Sequence, residues 1–310
     1  MKTIMYKLYS TVALTVVALS VHAQGRRMAI VDMPVSAVSL AHGGGVFGFS
    51  ERALVYADPS VGFDDTQTTM CANYAFGLVD GAGGSMGLHT LGLSHRSGKH
   101  LLMGGARYFA QGKTGPVLDI NMKPVADAMR LYSYGVDVGY VHAMGRFAIY
   151  GILGMISEKT DVQDNAYRLG IGMAFHGQKG LMRYKLNLAV RDLGVVGTGD
   201  RWQTLSPLLH GGGALRLATA RNQELDVTLD GGVYLPSGKS KVSGMLSGGV
   251  DYTLAKRYSL RLGGHAGDHD DYLGAGLGVR VGRIAFDAAV RLTAKDGASH
   301  LYMAGMQVDL

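Results

Sequence analysis

The eleven residues His300–Leu310 constrain the fold more than any other stretch. Tyr302, Ala304, Met306, Val308 and Leu310 alternate with Met303, Gly305, Gln307 and Asp309, a period of two that runs to the last residue. On a soluble protein such a strand would be an open edge that invites aggregation. In a transmembrane barrel it is the strand that closes the sheet, and closure leaves no backbone polar group unpaired in hydrocarbon. The apolar faces of this chain are therefore expected to meet lipid.

Composition agrees. Of 310 residues, 47% are hydrophobic and 17% charged, against the roughly 25% charge of soluble domains. Beyond the N-terminus there is no apolar run of the ~20 residues a spanning helix needs. The N-terminus itself reads as a signal peptide, residues 1–23. Lys2 and Lys7 precede the apolar run Leu8–Val21, and Val21-His22-Ala23 is a small-residue cleavage site, with the mature chain starting at Gln24. No cysteine follows that site, so a lipoprotein is not expected. The net charge of +6 falls to +4 without Lys2 and Lys7. Its cations are scattered, with no aromatic–basic cluster, so nucleic acid is not an expected partner. Cys71 is the single cysteine, which excludes an internal disulfide and any cysteine-based metal cluster.

From Thr68 onward the chain repeats one unit: about ten alternating residues, then turn residues. The pattern places strands at 68–78, 85–95, 101–110, 130–142, 147–157, 166–176, 182–192, 208–218, 223–235, 242–254, 258–267, 272–281, 284–294 and 300–310. The expected fold is all-β, a transmembrane antiparallel barrel of about fourteen strands spanning 67–310 in the outer membrane. Connections alternate in length. The short set is 97–99, 145–146, 177–180, 255–257 and 282–283, and the longer, more polar set is 111–129, 158–165, 194–207, 236–241 and 295–299. Short periplasmic turns and long outer loops are the known asymmetry, so 111–129 and 194–207 should face outward. Residues 24–66 alternate poorly and carry Met33-Pro34, Gly43-Gly44-Gly45 and Asp58-Pro59. They read as a plug-like segment with a helical turn near Val35–Ala41.

Charge sorts by face. On 182–192, Arg183, Lys185, Asn187 and Arg191 point inward while Tyr184, Leu186, Leu188 and Val190 point to lipid. Glu224, Asp226 and Asp230 line the lumen on 223–235, Arg261 on 258–267, and Asp287 and Arg291 on 284–294. An Arg or Lys on the lipid face costs about 2–4 kcal/mol at the midplane, which enforces this phase. The sign alternates: basic on 182–192, acidic on 223–235, basic on 258–267. Neighbouring strands could pair these charges. A salt-bridged interior that stiffens the wall is favoured over a charge-lined channel for polar solutes, since unpaired buried charge is expensive.

No catalytic constellation stands out. Gly43-Gly44-Gly45 lacks the remainder of a phosphate loop, and Gly-x-Ser-x-Gly is absent. His89, Ser94 and His95 carry no spacing that selects them. His265, Asp268, His269, Asp270 and Asp271 cluster at one turn but match no standard metal site. Neither a cofactor nor a metal is expected, and the protein is not expected to be an enzyme.

Three motifs carry a family resemblance. Residues 33–44, MPVSAVSLAHGG, resemble the "LPxSARxAALGG" opening of PorQ-type proteins. Residues 53–60, ALVYADPS, are similar to the "ALVYxNPA" segment shared by the PorV/PorQ family and FadL-like barrels, and residues 188–194, LAVRDLG, to "LxVRNLG". Asp58, Ser60 and Val38 depart from the family pattern, which has Asn, Ala and Arg there. The resemblance implies a fourteen-stranded FadL-like barrel and a scaffold or anchor role in type IX protein secretion and surface attachment, with a secreted or surface protein as partner. Met122, Pro124, Val125, Met129, Val195, Val196 and Trp202 give the two long loops an apolar character suited to such a contact. The alternative is a FadL-like transporter of hydrophobic small molecules, with 28–63 as plug and Phe47 and Phe49 lining a pocket. A general porin is a third reading.

Overall fold

The computed structural model describes residues 28–60, 68–79, 84–113, 117–118, 124–126, 130–160, 162–199, 201–236, 242–268, 271–293 and 300–310. Fourteen long strands make the wall: β1 (Thr68–Val79), β2 (Gly84–Ser97), β3 (His100–Lys113), β4 (Arg130–Met144), β5 (Phe147–Lys159), β6 (Gln163–Lys179), β7 (Met182–Thr198), β8 (Leu208–Ala220), β9 (Gln223–Tyr234), β10 (Ser243–Leu254), β11 (Tyr258–Gly267), β12 (Tyr272–Val281), β13 (Ile284–Thr293) and β14 (Leu301–Asp309). Each pairs antiparallel with its chain neighbours, and β14 pairs with β1 from Asp309↔Thr69 to Leu301↔Gly77. The sheet is thus a closed cylinder, with the C-terminal strand as the closing stave. An even strand number puts both ends of the wall on the short-turn side, where Leu310 N donates to Thr68 O. No helix among the described residues is long and apolar enough to cross a membrane; the strands do so.

The period-two pattern becomes a two-faced wall because successive side chains point to opposite sides. Leu186 and Leu188 of β7, Leu229 of β9, Leu262 of β11 and Phe286 of β13 stand exposed on the outside, more than half their surface free. The intervening Lys185, Asn187, Asp230, Arg261 and Asp287 are buried inside. In a membrane the outer set meets acyl chains, and the strands, at 9–17 residues, are long enough to cross.

The largest difference in a strand boundary from the sequence expectation is at the end of β7. Strand β7 continues to Thr198 because of a bulge: Leu169 pairs with Leu193, but Ile171 pairs with Val190, so Arg191 and Asp192 together oppose Gly170. The extra residue resets the alternation, and a strict period-two reading ends there. Asp192 takes φ 57°, a left-handed conformation that Asn and Asp tolerate better than most residues. The supposed loop 194–207 is therefore the end of β7, a turn and a short strand, Arg201–Thr204, paired back onto Val195–Thr198.

Inside the wall lie residues 28–60. They include two short helices, α1 (Ala29–Asp32) and α2 (Ala37–Ala41). Ser36 caps α2, its Oγ accepting from Ser39 N at 3.0 Å and donating to Glu51 Oε2. Gly43 and Gly44, at φ 69° and 79°, turn the chain sharply away from its end. The end of α2 leans on wall backbone: a Cβ on Gly274 would stand 2.2 Å from Leu40 O. Glycine in the wall thus allows backbone-to-backbone contact at this place.

Candidate functional site

Two apolar clusters line the β2–β7 part of the interior, one toward each end. Near the short turns, Leu101, Met103, Val141 and Tyr150 lie within three residues of their strand ends and pack with Val55 and Tyr56 of the inner segment. Near the long connections, Leu88, Phe109, Ile156 and Val196 lie within four residues of the opposite ends and pack with Met28 and Ile30. Both clusters are apolar. Charge sits between them and along the β7–β13 side.

That charge is neutralised in place. Arg168 of β6 reaches Asp137 of β4 at 2.6 Å and Asp192 of β7 at 2.9 Å. Arg261 of β11 lies 2.7 Å from Asp251 of β10 and 2.6 Å from Asp287 of β13. The latter pair spans β12, where a Cβ on Gly278 would stand 2.6 Å from Asp287 Oδ1. Gln307 Nε2 donates to the other Asp287 oxygen at 2.9 Å. Arg216 of β8 holds Asp226 at 2.6 Å and Glu224 at 3.3 Å on β9.

Several lumen-facing residues hold the inner segment rather than one another. Lys185 Nζ lies 2.9 Å from Asp58 Oδ2 and donates to Gly48 O at 3.2 Å. Asp230 accepts from Val46 N at 2.5 Å. Arg191 donates to Tyr56 O at 2.6 Å, and Arg107 to Ile30 O at 3.0 Å. Phe49 is ringed by cations, with Lys185 and Arg216 each 4.9 Å and Arg183 5.7 Å from its centroid. Arg291 lies over Tyr272 at 5.1 Å, and Phe47 packs against His210 with ring centroids 4.6 Å apart and the planes tilted by 33°. Phe47 and Phe49 are thus packed against the β7–β8 wall.

Asp58 and Ser60, two of the departures from the family motif, belong to one network. Asp58 Oδ1 accepts from Ser60 N at 3.0 Å, Ser60 Oγ at 2.6 Å and Asn187 Nδ2 at 2.9 Å. Burial pushes its carboxyl up, but Lys185 and Ser60 outweigh that and hold it below the usual range. His42 is different. It is fully buried, neither ring nitrogen has a hydrogen-bond partner, and burial lowers its pKa from 6.5 to about 4.

Of the residues expected on the inner face, Lys185, Asp226, Asp230, Arg261 and Asp287 are buried, and Arg183, Arg191, Glu224 and Arg291 are half-buried. The expected ladder between 182–192, 223–235 and 258–267 does not form directly, because β8 and β10 intervene and supply Arg216 and Asp251. Those two, with Asp137 and Arg168, were missed. The signal for them was present: a lone charge on an otherwise apolar membrane strand has to point inward.

The loop residues fare unevenly. Met122 and Met129 lie outside the described residues. Pro124 and Val125 fall in a short strand, Pro124–Ala126, paired with Val117–Leu118. Val195 and Val196 are not loop residues. Beyond the bulge they alternate on β7, Val195 39% exposed outside and Val196 fully buried inside. Trp202 is exposed on the short strand and stacks on Tyr167 at 6.1 Å. Around the 267–271 turn, His265 Nδ1 bonds Ser247 Oγ at 2.8 Å, and Asp268 and Asp271 accept from Gly244 N and Gly267 N. Among the described residues no cluster could hold a metal ion.

A closed fourteen-stranded antiparallel wall with an apolar exterior and a filled, charge-paired interior defines a β-barrel of the outer membrane, with a FadL-like fold. Solved structures of similar fold include the Pseudomonas putida toluene transporter TodX, with TM-score 0.61, 10% identity, and coverage of 88% of this chain and 96% of that one. The Ralstonia pickettii toluene transporter TbuX gives 0.58 and 12%, with 89% and 98% covered. The CymD monoaromatic hydrocarbon channel gives 0.61 and 10%, with 89% and 97% covered. No family profile matches the chain, and no curated protein matches it.

Proposed function

We propose that this protein is an outer-membrane channel for small hydrophobic molecules, with residues 28–60 as its plug and residues 1–23 removed on export. The observation that carries this reading is the apolar cluster of Met28, Ile30, Leu88, Phe109, Ile156 and Val196 near the long connections. The cluster gives that end of the lumen a hydrocarbon surface on the β2–β7 side. The barrels of similar fold are named as toluene transporters and a monoaromatic hydrocarbon channel, which adds support. A general porin fits less well, since the inner segment occupies the lumen and the lumenal charges are largely paired. The test is uptake of a labelled monoaromatic hydrocarbon and of a long-chain fatty acid by cells with and without the gene. Loss of either on deletion is the expected result. Unchanged uptake of both, with open-pore conductance for hydrophilic solutes, rejects the reading.

The secretion scaffold implied by the motif resemblance is the second reading. The exposed Tyr167–Trp202 pair on the wall's exterior is the observation that favours it. Purifying the barrel from its native membrane discriminates the two: a stoichiometric surface or secreted protein supports the scaffold, and its absence removes it.

A further inference from the structure

All six connections on the short-turn side are basic. Lys99, Arg146, Lys179, Arg221, Lys256, Arg257 and Arg283 lie in or beside them, every one exposed. None of the seven makes an ion pair among the described residues, and none of these turns contains Asp or Glu. The sequence at the opposite end mixes signs, with Asp119, Lys123 and Asp127 in one connection and Asp268, Asp270 and Asp271 in another. The basic rim is therefore a property of one end of the barrel.

Its depth is set by its neighbours. Arg146 precedes Phe147, Arg257 precedes Tyr258 and Arg283 precedes Ile284, and these three side chains are exposed on the lipid face. One strand residue advances about 3.4 Å, so the cations stand at the level where acyl chains give way to headgroups. Tyrosine at that level is an interface anchor. Turns follow every second strand, so the cations encircle the cylinder. A protein partner would meet one sector of such a ring. A lipid annulus meets all of it, and its chains lie against Phe147 and Tyr258.

We propose that this rim binds the phosphate headgroups of anionic glycerophospholipids in the adjoining leaflet. The inference does not depend on what the lumen passes. A juxtamembrane cation near an anionic surface is worth about a fivefold change in association at low ionic strength.

The experiment uses the full chain reconstituted in bilayers with spin-labelled phosphatidylglycerol or phosphatidylcholine, reading the motionally restricted lipid fraction. The expected result is a preference for phosphatidylglycerol of about fivefold or more, reduced by high salt. It should fall to near parity when all seven cations become Gln, with the heat-modifiable migration of the folded barrel unchanged. If that variant does not fold, the pair R257Q and R283Q should lose a measurable share of the preference, while K123Q with K239Q should keep all of it. Equal restriction of both lipids, or a preference that survives the neutralised turns, overturns the proposal.

Discussion

Asp58 and Lys185 are the clearest case of a residue-level constraint. Both side chains are almost wholly buried, so each is tolerated only because the other is there. Asp58→Asn should destabilise the seated inner segment by about 3–5 kcal/mol, because it leaves an ammonium buried without its counter-charge. Adding Lys185→Met should recover most of that loss; urea unfolding of the reconstituted barrel measures both. Asp58 and Ser60 were legible as departures from a motif, but nothing in the linear order joins them to a lysine on a strand more than a hundred residues away. His42 makes a pH prediction. Its imidazole is held neutral, with a pKa lowered from 6.5 to about 4, whereas a released inner segment takes up a proton below 6.5. Stability is thus complete above pH 6.5 and lost as pH falls toward 4, about 3 kcal/mol in all. Melting of the wild type at pH 7 and pH 5 should differ, and His42→Leu should flatten the difference.

Among elements, β7 shows where pattern reading works and where it stops. Up to Val190 the alternation of Tyr184, Leu186 and Leu188 with Arg183, Lys185 and Asn187 assigns both faces from the sequence. Past the bulge it misleads, and Val196 turns inward. The resemblance motif LAVRDLG marks this bulge, with Asp192 at the left-handed position and bonded to Arg168 at 2.9 Å. Asp192→Val should cost about 1–3 kcal/mol through backbone strain, and Asp192→Gly should cost less by that route; thermal melting of the two variants separates them. The glycine under α2 predicts differently. Gly274→Leu places a side chain where Leu40 O already is. The wall should still close, since its ladder is untouched, but the inner segment should become protease-sensitive and ion conductance should appear in planar bilayers.

For the whole molecule, the proposed channel rests on the apolar cluster of Leu88, Phe109, Ile156 and Val196 near the long connections. Val196→Arg or Ile156→Arg puts a cation into this cluster. Either should cut hydrophobic uptake at least about tenfold while leaving the barrel folded, because a cation there interrupts the apolar surface and the strand ladder does not depend on those side chains. Cell uptake alongside heat-modifiable migration tests both halves of that statement. Phase and closure were readable in the chain, and strand number approximately, because lipid enforces them: each misplaced charge on the outer face has an energetic cost, so the alternation survives in linear form. The two apolar clusters were not readable, nor the pairing of Arg168 with Asp137 and Asp192, nor the grip of Lys185 and Asp230 on the inner segment. These contacts join positions far apart in sequence across a closed interior, where the constraint is mutual fit between side chains and leaves no period in the chain.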